Sequence, residues 1–216
     1  MQLDFLRLLF MVFLVMDPIG IIPQFLSVTS QFSSETRKKI ILKAVLIAGS
    51  VLLVFILAGR PLLRFFGIMP GAFYISGGIL FFVIAFGMIY SKPGLSHYLP
   101  VEKAAGETEG KTEDKTEFSI ALFPLAIPFI AGPGLLTVII TFVSNDGNWF
   151  HSAAILLPVV IINLAVVYIT LRSSVLLLKI FGSLGISVIE KIMGLILSCF
   201  AVQFIYNGLA ALGIIR

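Results

Sequence analysis

Charge is what this sequence has least of. Asp, Glu, Lys and Arg make up 12% of its 216 residues, where a soluble domain carries about 25%. A chain so poor in charge lacks the polar surface that a water-facing globule needs. Cysteine is nearly absent as well: Cys199 stands alone in an apolar run, so no internal disulfide can form, and it reads as small apolar filler. With one Cys and two loop histidines, His97 and His151, no zinc site can be built, and no metal or cofactor is expected. Nothing resembles a nucleotide-binding loop, so ATP would have to come from a partner. The net charge of +4 does not point to nucleic acid, because the basic residues sit in short loops between apolar runs.

What is there is 59% hydrophobic, with 20 Phe. The hydrocarbon core of a bilayer is about 30 Å thick and needs roughly 20 apolar helical residues to cross. Six segments qualify: 5–29, 40–59, 70–90, 118–143, 152–171 and 188–212. The start of the chain does not read as a cleaved signal peptide, since Asp17-Pro18-Ile19-Gly20 follows the first apolar run where a small-residue cleavage site would stand.

The remainder divides the chain. Ser33 to Lys39 reads as a helix cap and first turn. Residues 91–117 hold the longest polar stretch and read as a charged cytoplasmic linker between segments 1–90 and 118–216. Residues 144–151 make a turn around Asn145-Asp146-Gly147-Asn148, and 172–187 carry a short apolar patch suited to an interfacial or re-entrant piece. Eleven basic residues follow spans one, three and five; Arg7, Arg60, Arg64 and Arg216 lie on the other side. The positive-inside bias then puts both termini outside the cytoplasm of a multi-pass protein of the cell (inner) membrane.

The two halves echo each other. Pro18 matches Pro133 and Phe66-Gly67 matches Phe181-Gly182, both at an offset of 115, and Gly78-Ile79-Leu80 matches Gly194-Leu195-Ile196 at 116. Three spans per half is an odd number, so the second half enters the membrane reversed. The expected fold is all-α: six transmembrane helices as two inverted three-helix repeats, with helices 1 and 4 interrupted. Such transporters bind solute near the midplane, where discontinuous helices meet.

The interruptions are rich in Pro and Gly: Asp17-Pro18-Ile19-Gly20-Ile21-Ile22-Pro23 in span one, and Pro124, Pro128, Gly132, Pro133 and Gly134 in span four. Proline inside a helix costs about 3 kcal/mol, and unwound backbone at membrane depth is tolerated only inside protein or along a wet cavity. Freed amides at a half-helix start suit a carboxylate, and freed carbonyls suit an ammonium group. Structural kinks are the bland alternative. Asp17 could bind a substrate ammonium, take up a proton, or cap the half-helix after it. Asn163, midway along span five, is a further candidate, with interhelical hydrogen bonding as its plainer role.

These motifs, with Ile192-Met193-Gly194-Leu195-Ile196-Leu197 and Ala201-Val202-Gln203-Phe204-Ile205 in the last span, resemble the MarC family of bacterial and archaeal membrane proteins. The resemblance covers nearly the whole chain except 91–117. It implies a six-span inverted-repeat fold within a broader group of amino-acid exporters, and some MarC family members are described as transporters of small neutral amino acids such as glycine and alanine. Carried over, the substrate-binding residues would be Asp17, Pro18, Gly20, Gly132, Pro133 and Gly134, with Asn163 added from its position.

The expected function is secondary transport of small neutral amino acids, held as zwitterions at the two breaks, with Asp17 as the proton-coupling candidate. Export of another small metabolite and a non-transporting scaffold or regulator are the alternatives. An enzyme is not expected: an aspartyl protease needs two membrane-buried Asp, and Ser76-Gly77 lacks the preceding Gly of a rhomboid-like motif. The expected partners are the solute and the lipid bilayer, with no nucleic acid; homo-oligomer formation stays open.

Overall fold

The computed structural model describes residues 2–90, 113–145 and 149–215, and the regular elements among them are all helical. They run α1 (Gln2–Met16), α2 (Ile21–Val28), α3 (Ser34–Phe65), α4 (Pro70–Tyr90), α5 (Glu113–Ile120), α6 (Ala121–Ile130, interrupted at Phe123 and Ile127), α7 (Pro133–Asn145), α8 (Trp149–Arg172) and α9 (Ser174–Ala211). Four stretches are long and apolar enough to cross a bilayer: Ser34–Gly59, Pro70–Tyr90, Phe150–Arg172 and Ser174–Ala211. Two more are bent pairs, Phe5–Met16 with Ile21–Val28 at 41° and Glu117–Ile130 with Pro133–Val143 at 54°. Counting each pair as one span gives up to six, at the places hydropathy marks.

The helices outrun the apolar segments where local chemistry lets them. α3 starts before the apolar run, because Ser33 Oγ accepts the Thr36 amide at 3.2 Å and so satisfies a free donor of the first turn. It ends where Gly67 takes a left-handed φ of 65° and the Ile68 amide reaches back to the Leu63 carbonyl at 3.0 Å. Residues 113–117, expected from sequence to be linker, are instead the start of α5. Glu117 is buried and bridges to Lys43 of α3 at 2.8 Å. The rest of that linker, with His97, and positions 146–148 of the expected turn lie outside the described residues.

The patch at 172–187 is set off from the last span by a break. It is helical from Ser174, turns at Gly182 (φ 65°, ψ 173°) and leads straight into the last span. Its helix therefore begins well before position 188.

Inside a bilayer, lipid offers apolar side chains as good an environment as protein does, so helices associate through close packing rather than hydrophobic exclusion. α3 buries Ile40, Ala44, Ala48, Leu52 and Ile56, one every four residues, against α6, α7 and α8. Leu46 and Val54 stay exposed on α3, as a lipid-facing side requires.

α4 packs chiefly on α9. Small residues recur every seventh position on both: Gly71, Gly78 and Ala85 against Gly208, Ala201 and Gly194. A Cβ on Gly208 would lie 2.7 Å from the Gly71 carbonyl oxygen, and one on Gly194 would lie 3.1 Å from that of Ala85. Stepping up α4 matches stepping down α9, so the pair is antiparallel. Phe204 of α9 closes the seam edge-on to Tyr74 and Phe81 at 5.2 and 5.1 Å.

Candidate functional site

The first break is built by Asp17. Its amide still donates to the Phe13 carbonyl at 3.0 Å, completing the last turn of α1. Its backbone then adopts φ 42°, a left-handed conformation that side-chain-bearing residues seldom take and Asp tolerates better than most. Pro18 follows without a donor to continue the helix. Asp17 Oδ1 accepts the Gly20 amide at 3.1 Å and its carbonyl accepts Ile21 at 3.2 Å, so Asp17 ends one half-helix and caps the turn into the next. A Cβ on Gly20 would collide with the Asp17 carboxylate, which would have to move aside. The far end of α2 is held by Arg37, whose Nε and Nη2 donate to the Thr29 and Ser30 carbonyls at 2.9 and 3.0 Å.

The second break is more extended. Phe123 and Ile127 leave helical geometry, each ahead of a cis proline, Pro124 and Pro128. Gly132 lets the chain fold back on Pro128, whose carbonyl oxygen would stand 2.5 Å from a Cβ. Pro133 then occupies the first position of α7, where its missing N–H costs nothing. The first bond of the new helix runs from the Leu136 amide to the Gly132 carbonyl at 3.1 Å. The amides of Gly134 and Leu135 therefore have no acceptor in their own helix.

The two breaks face one cavity of about 380 Å³, at the small end of the range for ligand pockets. Asp17 and Gly20 line it from the first break, Gly132, Pro133 and Gly134 from the second. Leu80, Ile84 and Met88 of α4 form an apolar wall. Gly134 approaches that helix so closely that a Cβ would lie 2.8 Å from the Phe81 ring.

Two expected residues lie elsewhere. Pro18 is buried but does not line the cavity. Asn163, 2% exposed, donates through Nδ2 to the Val159 carbonyl at 2.9 Å and to Leu9 of α1 at 3.3 Å. It ties α8 to α1 and does not reach the cavity. Of the other polar residues in the spans, Ser50 and Thr137 bond to carbonyls of their own helices.

Two lining residues are not evident from sequence, Gln24 of α2 and Glu190 of α9. Gln24 is 6% exposed, and its Oε1 has no hydrogen-bond partner among the described residues. Glu190 stands at the edge of the sixth apolar segment, where a flanking charge is ordinary. The helix that begins beyond Gly182 carries it inward instead. The available signal for Gln24 is a lone polar residue in apolar surroundings.

Residues 3–212 match a family described as "MarC family integral membrane protein". The chain is 33% identical over 198 residues to a UPF0056 membrane protein of Methanocaldococcus jannaschii, covering 92% of each. It is 32% identical over 196 residues to the UPF0056 inner membrane protein YhgN of Escherichia coli, covering 91% of each. No solved structure matches the chain.

Proposed function

The chain belongs to the MarC family of integral membrane proteins, and on that footing we propose that it is a secondary transporter of small neutral amino acids such as glycine or alanine. The observation that carries this reading is the cavity lined from both helix breaks. Its poles differ as a zwitterion requires. Asp17 offers negative charge, and the free amides at the start of α7 offer positive dipole to a carboxylate. The apolar wall from α4 leaves room for a short side chain and disfavours a long polar one. Asp17 is the coupling candidate, because one of its oxygens is engaged by Gly20 and the other is left for proton or solute.

Alternating access would use inverted repeats, and two observations support that arrangement. Gly67 and Gly182, 115 residues apart, both adopt φ 65°. The α4–α9 contacts Gly78–Ala201 and Ala85–Gly194 exchange with each other under a shift of 116 residues, as they would across a two-fold axis. In this reading the chain sits in the cell membrane with both termini outside the cytoplasm, performs no covalent chemistry and needs no cofactor.

Calorimetric titration of the purified protein with glycine, alanine and a panel of other small solutes tests the reading. Selective binding of glycine or alanine is expected. Binding of an unrelated metabolite instead would favour the exporter alternative, and no binding at all would favour a scaffold.

A further inference from the structure

The cavity holds more negative and hydrogen-bond-accepting groups than the Asp17 reading uses. Asp17 approaches from the end of α1, Gln24 from one turn into α2, and Glu190 from α9, a helix that belongs to neither break. Asp17 and Glu190 are carboxylates that line the same cavity. Lys191, next along α9, is exposed and does not line the cavity. Neither Lys, Arg nor His is among the lining residues.

Two partly buried carboxylates that line one cavity, with no basic side chain among its lining residues, favour a cation from outside. Gln24 points the same way independently. A buried amide oxygen left without a donor is rare in a folded chain, and each instance calls for an explanation. Here the orphan atom belongs to a residue lining the same space as both carboxylates.

We propose that Asp17, Gln24 and Glu190 together form an ammonium-binding pole, in which the protonated amino group of the solute is held by three oxygen acceptors from the first break, α2 and α9. The count fits the ligand. An alkylammonium has three N–H donors; Asp17 has one oxygen left after Gly20, Gln24 has Oε1, and Glu190 supplies the third. Through Glu190 the pole makes binding depend on α9 as well as on the broken helix. It also makes the amino group, rather than the side chain, the feature on which solutes are first sorted. This inference rests on the reading of the cavity as a solute site, and goes beyond it in naming what holds the amine.

The test titrates full-length protein, purified in detergent with choline as the background cation, with methylammonium, glycine, acetate and sodium in turn. Methylammonium and glycine are expected to bind and acetate to fail. Glu190→Gln, which keeps shape and removes charge, is expected to weaken both amines by about tenfold or more. Gln24→Leu is expected to weaken them by about threefold or more, and Glu190→Asp is expected to retain part of the binding, which separates loss of charge from loss of fold. Glycine binding undiminished in Glu190→Gln would overturn the ammonium pole and leave the amino-acid reading standing. Glu190-dependent binding of methylammonium without glycine binding would support the pole and overturn that reading. Sodium displacing methylammonium through Glu190 would overturn the pole in favour of a metal-ion site, and no amine binding to the wild-type protein would overturn it outright.

Discussion

Gly78 of α4 lies so close to Ala201 of α9 that a Cβ on it would stand 2.7 Å from the Ala201 carbonyl oxygen. Backbone, not a flexible side chain, occupies the space. Gly78→Ala should therefore push the two helices apart and destabilise the protein by about 1–3 kcal/mol. Ile79→Ala, at a neighbouring position that is exposed, should change stability by less than about 1 kcal/mol. Thermal melting of both variants in the same detergent compares them, and equal melting temperatures would contradict the seam.

At Gly182 the cost of a side chain is conformational alone, because nothing lies within 4 Å of an added Cβ while φ is 65°. Gly182→Val and Gly182→Asn should both destabilise by about 1–3 kcal/mol, since φ 65° with ψ 173° is a region essentially confined to glycine. At Gly67, which ends α3 with the same φ and equally empty surroundings, Asn should cost less than Val, because Asn is accepted at a left-handed helix end. Melting curves of the four variants read this directly.

The difference between what sequence discloses and what it hides follows from the kind of signal involved. The ends of α4 fall where hydropathy puts them, because apolar length is set by bilayer thickness. The breaks in spans one and four are legible because Pro and Gly act locally on their own backbone, and they lead to Asp17, Gly20 and Gly132 to Gly134. Glu190 is not legible, since its position depends on a helix that begins beyond Gly182 and on α9 packing against α4 and meeting span one. Asn163 misleads for the converse reason: mid-span depth is visible in sequence, but the direction in which a residue faces is not.

The ion pair between Lys43 and Glu117 joins α3 to α5 at 2.8 Å, with the carboxylate nearly buried and the lysine partly exposed. Its partial exposure keeps the expected value low. A double-mutant cycle of Lys43→Met and Glu117→Gln should give a coupling of about 1 kcal/mol. The coupling should shrink in high salt; no coupling at low salt would contradict the contact.

Asp17→Asn keeps an oxygen for the Gly20 amide and removes the charge. The fold should survive with a stability change under about 1 kcal/mol. Coupled uptake of solute into proteoliposomes should nevertheless be abolished. Uptake equal to wild type, with unchanged dependence on pH, would remove Asp17 from the coupling role.

The transport reading meets its most direct test in purified protein reconstituted into proteoliposomes, with accumulation of labelled glycine or alanine measured against protein-free vesicles. The account predicts protein-dependent uptake of one or both, suppressed by an excess of the unlabelled amino acid. Uptake no greater than in protein-free vesicles, under gradients of either direction, would contradict it.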